Sequence, residues 1–70
     1  MDKVTRLNLY NMSIGDDRRF GVRDFKDVCS ARATASQCTA ILRDRFFSVE
    51  AKDWEKSGSI LVSCRRQILK

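Results

Sequence analysis

Residues 25–42 read FKDVCSARATASQCTAIL, and whether this stretch turns or runs straight decides the fold. Phe25, Val28 and Cys29 stand at i, i+3 and i+4 behind Asp24, a good helix N-cap, and so mark one short amphipathic helix. Ser30, Ala31, Arg32 and Ala33 follow as a connection. Thr34, with Gln37 three residues later, has the spacing of a capping box, in which the hydroxyl takes a free first-turn N–H and the amide reaches back. A second helix is therefore expected to start at Thr34. Its apolar face would be Ala35, Cys38, Ile41 and Leu42, with Ser36, Gln37, Ala40, Arg43 and Asp44 mostly on the other side.

Downstream, the hydrophobic period shortens from near 3.6 to near 2. Phe47, Val49 and Ala51 alternate with Ser48, Glu50 and Lys52, and Ile60, Val62 and Cys64 alternate with Leu61, Ser63 and Arg65. With Lys56-Ser57-Gly58-Ser59 between them, the two runs predict a β-hairpin with a basic, glycine-containing tip. Glu50 to Lys56 also suits a helical turn, because Glu, Ala and Lys are good helix formers. Upstream, residues 2–14 are ambiguous: Val4, Leu7, Tyr10 and Ile14 share a helical face, while Leu7 and Leu9 against Tyr10, Met12 and Ile14 fit a strand with a slip. The helical reading is preferred, ended by Ile14-Gly15-Asp16-Asp17. The run Asp16-Asp17-Arg18-Arg19 reads as a solvated turn.

The chain of 70 residues is one small domain, 43% hydrophobic, with three Gly and no Pro. Fourteen Lys and Arg against nine Asp and Glu give a net charge of +5, a surface that attracts polyanions or is simply kept soluble. No apolar run approaches the roughly 20 residues that cross a bilayer, and no secretory leader is visible, so a cytoplasmic protein without membrane contact is expected. Cys29, Cys38 and Cys64 are odd in number, lack C-x-x-C spacing and have no histidine beside them. They read as buried apolar residues in a reducing compartment rather than as disulfides or metal ligands. With no nucleophile motif, phosphate loop or paired carboxylates, no catalytic residue, cofactor or small-molecule ligand is expected, and the chain does not read as an enzyme.

Arg19-Phe20-Gly21-Val22-Arg23-Asp24-Phe25, followed by Cys29, Thr34-Ala35-Ser36 and Ile41-Leu42-Arg43, resembles the winged helix-turn-helix regulators of bacteria and phages. The resemblance spans about Arg18 to Arg66. It departs from the family at Lys26, where a small residue is usual, at Ser30, where the turn favours Gly, and at Ala31, where the turn usually holds a larger apolar residue. It implies an α+β fold of three short helices with a C-terminal two-stranded wing. It also implies sequence-specific binding of double-stranded DNA, as a transcriptional regulator or architectural accessory of a bacterium, phage or plasmid.

On that resemblance the helix from Thr34 lies in the major groove. Gln37 pairs with adenine, Ser36 meets several bases, and Ala33 or Ala40 touches a thymine methyl. Arg32 and Arg43 suit phosphates, with guanine also in reach of Arg32, and Lys56 with Arg65 and Arg66 clamps the flanking backbone or enters the minor groove. Ser36 and Gln37 otherwise merely solvate a helix, and Arg65 and Arg66 an exposed strand end. Trp54 either stacks on a base or closes the edge of the core. A site this small implies a homodimer or cooperative assembly, with Leu9, Tyr10, Met12, Ile68 and Leu69 as contact candidates. The rival readings are a small basic protein-binding module, such as a phage or plasmid inhibitor of a host enzyme, and RNA binding through the sheet and Trp54.

Overall fold

The computed structural model describes residues 3–67, which form α1 (Arg6–Tyr10), β1 (Asp17–Gly21), α2 (Phe25–Ile41), β2 (Arg45–Glu50), α3 (Trp54–Ser57) and β3 (Ser59–Arg66) in that order. The fold is α+β: three helices and an antiparallel three-stranded sheet in the order β1-β3-β2. The hairpin after α2 stands where the sequence places it, and a third strand, β1, joins the expected pair. The hairpin is wider than expected, and its connection holds the helical turn α3, closed by Gly58 at φ +67 donating to the Trp54 carbonyl. The charged run Asp17-Arg18-Arg19 is the exposed start of β1 rather than a turn.

The expected turn inside residues 25–42 is absent: α2 is one unbroken helix of 17 residues. Its start is capped as predicted, because the Asp24 carboxylate accepts from the Asp27 N–H at 3.0 Å. Thr34 caps nothing. Its hydroxyl donates back to the Ser30 carbonyl at 2.9 Å, a helix-interior bond that leaves no chain break for Gln37 to close. The cause is burial. Val28, Ala31, Ala35 and Cys38 recur at helical spacing and are all buried, so a break at residues 30–33 would tear Ala31 from the sheet. The segment also lacks Gly and Pro, and its alanines favour the helix they sit in.

Alternation then separates the two faces of the sheet. Phe20, Phe47, Ile60, Val62 and Cys64 turn toward the helices and are buried. Asp17, Arg19, Phe46, Ser48, Glu50, Leu61, Ser63 and Arg65 lie on the opposite, uncovered face. The amphipathic helix expected over the N-terminal segment shrinks to five residues capped by Thr5, and its buried residues differ from those expected. Leu9 and Met12 fill the core, Tyr10 packs against it, and Leu7 and Ile14 are exposed, so Leu9 and Met12 are unavailable as dimer contacts. Ile68 and Leu69 lie outside the described residues. Of the cysteines, Cys38 and Cys64 are buried, and burial pushes both thiols up in pKa; Cys29 is exposed, contrary to expectation.

Candidate nucleic-acid interface

Because α2 is continuous and packs by one stripe, its remaining residues fall on three distinct sides. The flank toward α1 carries Thr34 and Gln37. Thr34 is held in its own helix, and the Gln37 carbonyl oxygen accepts from the Arg6 guanidinium at 2.9 Å. Thr34 is half-buried, and Gln37 is exposed with its carbonyl oxygen engaged. The flank toward β2 carries Arg32 and Ser36, which line a groove of about 520 Å³ with Ala35 and Thr39 on the helix and residues 46–49 on the strand. The outer side carries Cys29, Ala33 and Ala40, all exposed. From Val28 to Arg43 no carboxylate interrupts this surface.

The predicted basic residues do not converge. Arg43 and Arg66 are brought together around a depression of about 460 Å³ at the C-terminal end of α2, beside Ile14, Asp44 and Gln67. Gln67 fastens this corner by donating to the Arg43 carbonyl at 3.2 Å. Lys56, in α3, stands at the other end of the hairpin, because β3 runs eight residues from beside α3 to Arg66. At about 3.4 Å per residue that is a separation of roughly 24 Å. Arg65 is on the uncovered sheet face and is already engaged: it meets Asp17 at 2.9 Å and donates to the Cys64 carbonyl at 3.0 Å. Together with a hydrogen bond from Ser63, this contact lowers the pKa of Asp17.

Most other cations carry no carboxylate. Among the described residues only Arg23 with Asp27, Arg45 with Asp44 and Arg65 with Asp17 form ion pairs, so Arg32, Arg43, Arg66 and Lys56 remain outside any. Trp54 is half-buried against the core, its ring centroid 6.3 Å from that of the exposed Phe25, and so closes the edge of the core. Two features of these surfaces escaped the sequence reading. One is Arg6, whose bond withdraws Gln37. The other is Phe46, 46% exposed on the uncovered face; it was findable, because two consecutive Phe in a strand must point to opposite faces. No group of acidic or cysteine side chains among the described residues is arranged to hold a metal ion, and no described helix is long and apolar enough to cross a membrane. No protein-family model, curated protein or solved structure matches the chain.

Proposed function

We propose that the protein binds double-stranded DNA through the exposed side of α2. The helix lies against the major groove, with Arg43 and Arg66 on the phosphates beyond its C-terminal end. One observation carries the reading: α2 exposes Arg32 among the small side chains Cys29, Ala33, Ser36 and Ala40, Arg43 is exposed just past its C-terminal end, and no carboxylate stands between Cys29 and Arg43. Small side chains let a helix backbone approach base edges closely, and Arg32 has the reach and fork geometry to pair with guanine. The order strand, helix, hairpin supports a winged-helix architecture in which a single long helix replaces the helix-turn-helix pair. Base recognition then rests on Arg32 and Ser36, with Thr34 and Gln37 withdrawn from it, and Lys56 and Arg65 drop out of the backbone clamp. One such helix spans few bases, so the proposed role, regulatory or architectural, calls for a homodimer or a cooperative array.

The test is a duplex-library titration by fluorescence anisotropy. Arg32→Ala and Ser36→Ala are expected to flatten sequence preference, each lost base contact costing about 1–3 kcal/mol. A combined Arg43→Ala and Arg66→Ala variant should weaken all duplexes alike. Unchanged preference in the Arg32→Ala variant would dismiss α2 as the reader.

A further inference from the structure

We propose that the groove between α2 and the outer edge of β2 receives an extended, carboxylate-bearing segment of another protein. The segment adds to the sheet beside β2 and sets an acidic side chain on Arg32. The inference shares Arg32 with the duplex reading but stands on the β2 edge and the groove, and it is tested without DNA.

Both outer strands of the sheet present an edge, but they are protected differently. Along β1 the sequence is Asp17-Arg18-Arg19, three exposed charges of the kind that block strand addition. Along β2, residues 46–49 carry no charge, and the strand has neither proline nor bulge. Gln67 donates to the Asp44 carbonyl, which fixes the phase of the ladder: Phe46, Ser48 and Glu50 bond to β3, and Arg45, Phe47 and Val49 point their backbone groups away from it. Part of this edge is satisfied from above. The Arg45 N–H donates to the Leu42 carbonyl at 3.1 Å, and the Phe47 N–H donates to the Thr39 hydroxyl at 3.0 Å. No partner among the described residues meets the Val49 N–H. A strand running antiparallel to β2 satisfies both polar groups of Val49 at once, accepting from its N–H and donating to its carbonyl.

The helix supplies the specificity. Because α2 runs antiparallel to β2, moving back two turns from Thr39, about 10 Å, brings Arg32 level with the Val49 end of the strand. Arg32 has no carboxylate partner, and the lining of the groove contains none. The groove therefore presents an apolar floor, one open backbone donor and one free guanidinium. An extended segment of alternating apolar residues with Asp or Glu at one position matches all three. A second copy of this chain matches them poorly, since it would bring the same uncompensated Arg32 and a net charge of +5 to the contact.

The experiment selects random dodecapeptides displayed on phage against the immobilised full chain, then measures the winners as synthetic peptides in DNA-free solution. The expected winners alternate apolar residues and carry a carboxylate. They shift the backbone NMR signals of residues 47–51 and lose binding when alternate amides are N-methylated. In the Arg32→Glu variant, shown folded by circular dichroism, their affinity falls by roughly tenfold or more, the scale of one charge-assisted pair. Winners that lack carboxylates, that bind Arg32→Glu equally well or that tolerate N-methylation would overturn the proposal, as would no enrichment above background. A concentration-dependent dimer with the Val49 amide protected would also overturn it, by assigning the edge to a second copy.

Discussion

Arg45 holds the N-terminal segment to the sheet: one terminal nitrogen of its guanidinium donates to the Tyr10 carbonyl at 2.8 Å and to the Met12 carbonyl at 3.0 Å. Its Nε stands 3.8 Å from the Asp44 carboxylate, an ion contact too long for a hydrogen bond. Arg45→Ala strands both carbonyls and is expected to cost about 1–3 kcal/mol, read as a lower urea midpoint with unchanged slope. Amide exchange should rise at residues 9–12 before it rises elsewhere. Asp27, like Asp17, contributes to the acid limit. The Arg23 backbone N–H donates to its carboxylate at 2.8 Å, and the Arg23 side chain adds to this, so its pKa lies below the ordinary 3.8. A depressed folded pKa gives stability that is present above 3.8 and is lost as pH falls through the lower folded value. Asp27→Asn should therefore flatten the loss of stability on the acid side of 3.8, as followed by urea melts at stepped pH. At this scale the Asp24 cap was legible, because capping is local. The fate of Gln37 was not, because its partner Arg6 lies 31 residues away.

Helix α2 shows a local signal losing to a longer one. Thr34 and Gln37 have the spacing that starts a helix, yet Val28, Ala31, Ala35 and Cys38 form a single buried stripe across that point. Splitting the segment put Ala31 in a turn; reading its apolar positions as one series would have joined it. Ala33 gives a clean test because it is exposed mid-helix. Ala33→Gly should cost about 1 kcal/mol and Ala33→Pro about 3 kcal/mol or more, whereas a turn at residues 30–33 would absorb either with little change in thermal midpoint. The hairpin was readable because strand alternation survives in its sequence. The N-terminal helix was read too long because Leu7 and Ile14 suit a helical stripe that the core, filled by Leu9 and Met12, does not use.

Over the whole molecule, 37 Å along its longest axis, the basic residues that the sequence grouped into one site are spread over different surfaces. Net charge and residue type were legible, but their placement depended on where β3 ends and which side α1 covers. The proposed duplex contact rests on Arg32, Arg43 and Arg66, and on that proposal Lys56→Ala should leave duplex affinity unchanged in a filter-binding assay. The most direct measurement is the salt dependence of duplex affinity for the wild-type chain and for the combined Arg43→Ala and Arg66→Ala variant, taken between 50 and 200 mM salt. Binding in the wild type should weaken steeply and linearly on logarithmic axes, and the variant should lose about two units of slope, one for each phosphate contact removed. No duplex binding at the roughly 10⁻⁴ to 10⁻⁶ M typical of non-specific association, or the same slope in both proteins, would contradict the assignment of α2 and its C-terminal arginines to DNA.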